Sequence, residues 1–268
     1  MTIGIWILGD QLHRDQSALQ SLLEIQKPAH PPVLMVESSD WGHRRHYHRQ
    51  KLVLVWSAMR HFAQELKELG YPVTYVEAET FTDPLHAWAD QEQLQSIRIM
   101  EPSDIPFRHR VEELGSLLPI EMVANNQFLW TVQEFRTWAK GRKRLVMEDF
   151  YRQGRKRWQI LMEGEQPLGG KWNYDSDNRQ SPQEGSLFPA PLRFEPDLIT
   201  QAVMAKVRQD YPQAFGSLEP FQWAVNRSQA LQVMETFVEQ RLTQFGPLQD
   251  AMVTGEDTMW HSLISPYL

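Results

Sequence analysis

Five short apolar runs, separated by segments of helical spacing, constrain this chain more than any other feature. Ile3-Gly4-Ile5-Trp6-Ile7-Leu8 stops at the turn Gly9-Asp10, and Val33-Leu34-Met35-Val36 stops at Glu37-Ser38-Ser39. Pro72-Val73-Thr74-Tyr75-Val76, Ile97-Arg98-Ile99-Met100 and Ile120-Glu121-Met122-Val123 complete the set. Between them, Leu19, Leu22 and Leu23 repeat at helical spacing before Pro28. Leu52, Val55, Trp56, Met59, Phe62, Ala63 and Leu66 then form a long apolar stripe that Gly70 ends. Further helices are expected from about Pro84 to Gln93 and from Phe107 to Leu118. Right-handed crossovers place such helices on both faces of a mainly parallel sheet, so the expectation is an α/β, Rossmann-like domain over residues 1–128.

The pattern changes near residue 125. Residues 129–195 hold many charges, several prolines and the Gly169-Gly170 pair, which reads as a long linker with short helices. Residues 196–268 turn helical. Asn226-Arg227-Ser228 supplies an N-cap candidate, and Ala230, Met234, Phe237, Val238, Leu242 and Phe245 form a stripe expected to stop at Gly246-Pro247. The layout predicted is an α/β domain, a connector and an incomplete all-α domain.

Composition narrows the function classes. A formal net charge of −7 excludes wholesale basicity as the basis for nucleic-acid binding and leaves room only for a local basic patch. With no cysteine, the chain has no disulfide framework, thiolate metal site or cysteine nucleophile of its own. The start lacks a basic segment ahead of its apolar run, and no apolar stretch approaches the ~20 residues that span a bilayer, so a cytoplasmic monomer without a membrane association is expected.

Candidate chemistry lies at four places. Gly9-Asp10-Gln11-Leu12 and Glu37-Ser38 end the first two strands, at the sheet edge where open α/β folds leave a ligand crevice; the competing reading of Gly9-Asp10 is a plain turn and cap. No Gly-x-Gly-x-x-Gly and no Walker loop is present, which argues against a dinucleotide site or a P-loop NTPase. His43, Arg44, Arg45, His46, His48 and Arg49 crowd together, and their interleaved arginines favour an exposed basic rim near the crevice over a metal site. Arg136, Lys140, Arg142, Lys143, Arg144, Arg152, Arg155, Lys156 and Arg157 gather among Trp138, Phe150, Tyr151, Trp158, Trp172 and Tyr174. Cations neutralise phosphates and aromatics stack on bases, so this stretch is either a nucleic-acid surface or a solvated charged face. At the end, Ser265-Pro266 reads as a serine cap with proline at the first helical position, whose free amides and dipole would suit a pyrophosphate near Ser262.

That last segment, His261-Ser262-Leu263-Ile264-Ser265-Pro266-Tyr267-Leu268, resembles the Thr-Ser-x-Leu-Ser-Pro-Tyr-Leu segment of photolyases and cryptochromes. Leu8-Gly9-Asp10-Gln11-Leu12, Arg45-His46-Tyr47-His48-Arg49-Gln50-Lys51, Met147-Glu148-Asp149-Phe150-Tyr151-Arg152, Gly169-Gly170-Lys171-Trp172-Asn173-Tyr174-Asp175 and Val225-Asn226-Arg227 together look like the bacterial iron-sulfur photolyase-related, (6-4) photolyase-like proteins. The resemblance implies a ribityllumazine-type antenna held by Gly9, Asp10, Gln11, Leu12 and Glu37, and an FAD whose pyrophosphate meets Ser262, Leu263 and Ser265. It also implies light-driven repair of ultraviolet photoproducts in DNA, with Arg152, Arg155, Lys156, Arg157 and Lys171 as the contacts to DNA. The family's cluster is bound by four cysteines in a distal region, so the chain looks like the N-terminal portion of such a flavoprotein, inactive alone. His261 stands where the wider superfamily has threonine and Leu248 where near relatives have tyrosine, which puts one flavin-phosphate contact and one packing contact in question. A photoreceptor of the same fold and a stand-alone chromophore-binding or nucleotide-binding module are the alternatives.

Overall fold

The computed structural model describes residues 2–23, 30–116, 119–183 and 188–267. They form two compact units, Met1–Thr131 with Arg193–Ala230, and Val132–Leu192 with Leu231–Leu268. Among the described residues, no helix is long and apolar enough to cross a membrane.

The first unit opens with strand β1 (Ile3–Ile7), helix α1 (Ser17–Leu23), β2 (Val33–Ser38), the short α2 (Ser39–His43) and the long α3 (Arg49–Glu68). β3 (Val73–Ala78), α4 (Thr82–Gln91), β4 (Ser96–Met100), α5 (Ile105–Leu114) and β5 (Ile120–Val123) follow. The five strands lie parallel in the order β3-β2-β1-β4-β5, so the direction of winding reverses between β1 and β4. All five expected strands are present. The expected fourth helix ends earlier than predicted, at Leu114, where the Gly115 amide donates to the Val111 carbonyl; residues 117 and 118 lie outside the described residues.

Alternation along β1 explains why the sheet is covered twice. Ile5 and Ile7 face a core with α1 and α3, while Trp6 and Leu8 face a second core with α4 and α5. The stripe of α3 buries Leu52, Trp56, Met59, Phe62, Ala63 and Leu66, and Gly70, at φ +89°, takes the left-handed conformation that ends the helix at low cost.

The chain then enters the second unit through α6 (Val132–Ala139), α7 (Met147–Trp158) and a two-residue-a-side hairpin, β6 (Met162–Glu163) with β7 (Gln166–Pro167). Phe135, Trp138 and Phe150 form a small aromatic cluster between α6 and α7, with ring centroids 4.7–5.7 Å apart. At Arg193 the chain returns to the first unit, where α8 (Leu198–Asp210) buries Val203, Met204 and Val207 in the core that contains α3. The compact units thus divide the chain differently from boundaries at 128 and 195. An amphipathic helix needs an apolar cover, and the sequence period does not say which one.

Helix α9 (Arg227–Gln240) starts as expected, with the Asn226 side chain accepting from the Gln229 amide at 3.0 Å. Its expected stripe is corrected. Phe237 is buried, but Met234, Val238 and Leu242 are more than a third exposed. The buried face is instead Val233, Phe237 and Arg241, spaced i, i+4, i+8. Arg241 breaks the helix and donates to the carbonyls of Met259 (3.2 Å), His261 (3.0 Å) and Pro189. Helix α10 (Leu242–Leu248) then runs through Gly246-Pro247 rather than stopping there.

Candidate functional site

A cavity of about 330 Å³ opens at the carboxyl edge of the sheet in the first unit. This is the edge where the reversal of winding between β1 and β4 separates the strand-to-helix loops and leaves a crevice. Each turn around it contributes a wall. Leu8, Gly9 and Asp10 follow β1; Val36, Ser38 and Trp41 come from the end of β2 and from α2; Phe81 follows β3; Pro102, Asp104 and Phe107 follow β4. From α3, Leu52, Val55, Trp56 and Met59 close the other side. At Gly9 a Cβ would stand 2.9 Å from the Met59 Sδ and 3.1 Å from a Val55 methyl, so a larger residue there would require the Met59 side chain to shift.

Trp41, Phe81 and Phe107 pack edge to face at 4.8–6.3 Å, the arrangement ring quadrupoles favour, so this aromatic wall is fixed before any ligand arrives. Asp104 caps α5 by accepting from the Phe107 amide at 3.0 Å. Crowding by surrounding protein, reinforced by the nearby Asp104 charge, raises the Asp10 carboxyl above the ordinary aspartate range even though its side chain reaches solvent. Gln127 holds this turn in place by donating to the Asp10 carbonyl at 2.7 Å.

The sequence-predicted residues separate here. Gly9 and Asp10 line the cavity; Gln11, Leu12 and Glu37 do not. Gln11 is buried, and its amide donates to the Met100 carbonyl at 2.8 Å, tying the loop after β1 to the end of β4. Leu12 packs against the core that contains α3. Alternation along β2 sends Glu37 to the side opposite Val36 and Ser38. There its buried carboxylate accepts from Arg60 Nε (2.7 Å) and Nη2 (3.0 Å) and from the Tyr75 hydroxyl. Arg60 also reaches Glu77 at 2.7 Å, and Lys206 of α8 bridges Glu77 (3.0 Å) and Asp210 (2.8 Å). The hydrogen bond that Arg60 donates to Glu37 holds the guanidinium charged, while burial, followed by the Glu37 charge, raises the Tyr75 hydroxyl and keeps it protonated as a donor. This network fastens β2, β3, α3 and α8 together.

Sequence reasoning missed Trp41, Phe81, Phe107 and Asp104 as cavity residues. The signal was an aromatic residue shortly after each of three successive strand ends, with Asp104-Ile105-Pro106 marking a capped helix. Of the expected basic rim, Arg44 and Arg45 line the cavity while His43, His46, His48 and Arg49 do not, and Lys51, which was not part of that group, joins them. His43 is spent elsewhere, stacked on Tyr211 at 4.2 Å, and no group of metal-ligating side chains is present among the described residues.

In the second unit, the basic and aromatic residues of α7 and the loop beyond it converge. Arg152, Arg155 and Lys156 lie 5.3–5.9 Å from the Trp172 ring. Arg155 is buried and donates to the carbonyls of Ile160 (3.1 Å) and Leu161, so it shapes the helix end. The other cations sit at the surface, each beside one acid: Arg152 with Glu148 (2.5 Å), Lys156 with Glu165 (3.2 Å), Arg157 with Glu134 (2.5 Å) and Lys171 with Asp177 (3.8 Å). Ser262 and Leu263 are half-buried outside any regular element, and Ser265 is exposed in a three-residue 3-10 turn, Ser265–Tyr267. The serine cap is corrected as well, since Tyr267 donates to the Ile264 carbonyl at 2.9 Å and Ser265 is already inside the turn. Leu268 lies outside the described residues. Within the described residues, Ser262 and Ser265 are the hydroxyl groups of this segment that would meet a flavin pyrophosphate.

The chain is 37% identical over 272 residues to a (6-4) photolyase of Agrobacterium fabrum (strain C58 / ATCC 33970), a match that covers 98% of this chain and 53% of that protein. It therefore spans about half the length of that curated relative. It is also 25% identical over 138 residues, 49% of its length, to an uncharacterized protein of Acanthamoeba polyphaga mimivirus, of which the match covers 70%. Its fold is similar to that of a bacterial class III photolyase from Agrobacterium tumefaciens, with a TM-score of 0.52 and 14% identity over 90% of this chain and 46% of that one. The family model described as deoxyribodipyrimidine photo-lyase-related protein matches residues 5–223. With that match over most of its length, the chain belongs to the deoxyribodipyrimidine photolyase-related protein family.

Proposed function

We propose that this chain is the antenna-bearing part of a light-dependent flavoprotein whose intact form repairs ultraviolet photoproducts in cytoplasmic DNA. The observation that carries the reading is the aromatic-walled cavity at the winding reversal of the sheet, in a chain 37% identical to a (6-4) photolyase. Trp41, Phe81 and Phe107 fit a flat chromophore of ribityllumazine type, and Asp10 offers a carboxylate to its N–H or hydroxyl groups, while the Ser38 hydroxyl is engaged with the Trp41 amide and the Glu79 carbonyl. Glu37 acts at one remove, by fixing the end of β2. The exposed cations around Trp172 support a role in holding DNA: surface ion pairs are worth little, so Lys156, Arg157 and Lys171 can exchange carboxylates for phosphates, with Trp172 and Tyr174 available to stack. FAD would meet Ser262, Leu263 and Ser265 only in company with further residues. An iron-sulfur cluster has no cysteine ligand in these 268 residues. The cavity is lined entirely by residues of the first unit, which favours one second reading, a chromophore-binding module without repair chemistry of its own.

Titration with a ribityllumazine, followed by its fluorescence, tests the reading. Saturable one-to-one binding is expected, weakened about 10-fold or more by Asp10→Ala, because a charge-assisted hydrogen bond is worth roughly 1.5–3 kcal/mol. Absence of saturation, or an affinity unchanged by the substitution, would remove the antenna from this cavity.

A further inference from the structure

We infer that the cavity takes a planar heteroaromatic ligand bearing a phosphate-type anion, and that Arg44, Arg45 and Lys51 hold the anion. This rests on the reading of the cavity as a small-molecule site and adds the charge of its ligand. The polar groups around the cavity are segregated: Asp10 and Asp104 come from the loops after β1 and β4, whereas all three cations come from the stretch joining α2 to the first turn of α3.

These cations differ from six ion-paired basic residues of the same unit and share the lack of a carboxylate partner among the described residues with Arg49, Lys67, Arg110, Arg193 and Arg227, none of which lines the cavity. Arg14, Arg60, Arg98, Arg108, Lys206 and Arg208 each contact a carboxylate. Among the described residues, no carboxylate lies within ion-pair distance of Arg44, Arg45 or Lys51, in a chain with an excess of acids. Two of them are held by aromatic faces instead, Arg44 at 4.6 Å from the Trp41 ring and Lys51 at 4.9 Å from the Tyr47 ring. A cation–π contact positions a cation without neutralising it. The positive end of the 20-residue helix α3 adds to the same field, although its first amides are already occupied by His48 and Phe215. Uncompensated charge at the mouth of an aromatic pocket attracts an anionic tail, while Asp10 and Asp104 repel it from the opposite side. The ligand is therefore oriented, ring against Trp41, Phe81 and Phe107 and tail toward α3.

Paired ligands that differ only by a phosphate test this on the whole chain: flavin mononucleotide against riboflavin, and adenosine monophosphate against adenosine. The phosphorylated member of at least one pair is expected to bind about 10–100-fold tighter in low salt, with the advantage shrinking as salt rises. Arg44→Gln with Arg45→Gln, both surface positions, should erase that advantage, and a phosphorylated member that keeps its full advantage on this variant would overturn the assignment. If neutral members, and a neutral ribityllumazine, bind as well as phosphorylated ones, the anion preference is wrong and the chromophore reading stands. If no member of either pair and no lumazine binds, the small-molecule reading fails and takes this inference with it.

Discussion

The two compact units are ordered by different physics. In the first, Trp6, Ile5, Ile7, Leu34, Met35, Ile97 and Ile99 are completely or almost completely buried, and two continuous apolar cores sandwich the sheet. In the second, the described buried hydrophobics are Trp138, Val233, Phe237 and Met259, while Met147, Leu161, Leu145, Val238 and Met252 stand exposed. What fixes the second unit is a set of arginine clamps on carbonyl oxygens: Arg241 on Met259, His261 and Pro189, Arg155 on Ile160 and Leu161, and Arg142 on Trp138. Apolar burial is roughly additive in area and tolerant in geometry, whereas a clamp depends on one side chain. The first unit is thus built to hold a cavity rigidly, and the second to present a charged, aromatic surface on a frame of low intrinsic stability.

The largest effect that would test this contrast concerns where the first unit ends. Residues 193–230 place Val203, Met204, Val207, Tyr211, Leu218, Phe221 and Val225 in its core. At about 1.5–3 kcal/mol for each buried side chain, their loss, roughly 10–20 kcal/mol, is as large as the 5–15 kcal/mol by which domains are stable. A fragment of residues 1–128 alone is therefore expected to be unfolded or aggregated, and adding a peptide of residues 193–230 should restore cooperative melting. A sharp thermal transition from the short fragment by itself would show that the sheet needs no help from α8.

This boundary marks the limit of what the sequence discloses. The five strands, the stripe of α3 and the Asn226 cap are local patterns, and each was legible because period and capping chemistry act within a few residues. The return of α8 to α3 is a contact across more than 130 residues, and nothing in the period of Leu198–Asp210 names its partner. At the site, Gly9, Asp10, Arg44 and Arg45 were legible from the strand end and the crowding of arginines. Glu37 was misplaced for a physical reason: all six residues of β2 are buried, so the hydrophobic alternation that would tell one face from the other is hidden.

A smaller effect should separate the two kinds of order. Arg241→Met removes a buried clamp and leaves carbonyls of Pro189, Met259 and His261 without their donor, at a cost of about 2–3 kcal/mol for hydrogen bonds to a charged group. Hydrogen exchange is expected to accelerate across residues 231–267 while protection of β1, β2 and β4 is unchanged. Uniform acceleration in both regions would mean that the units do not differ in this way.

The smallest effect has the opposite sign and bears on the cavity. Asp10 is an acid whose surroundings disfavour its charged form, chiefly through crowding by protein and secondarily through Asp104. A carboxyl raised in the folded state leaves stability complete below the unfolded-state value and reduces it as pH rises through the folded one. Asp10→Asn removes that penalty, so the variant should melt slightly higher than the unsubstituted chain at pH 7, and the difference should vanish as pH falls toward 3.8. The same variant should bind a chromophore more weakly, because the amide replaces a charged acceptor with a neutral one. Stability gained and affinity lost together identify Asp10 as a group kept at the cavity for its ligand, at some cost to the fold. A variant that melts lower at pH 7, or one whose advantage persists at pH 3.8, would show instead that the Asp10 carboxylate supports the turn after β1.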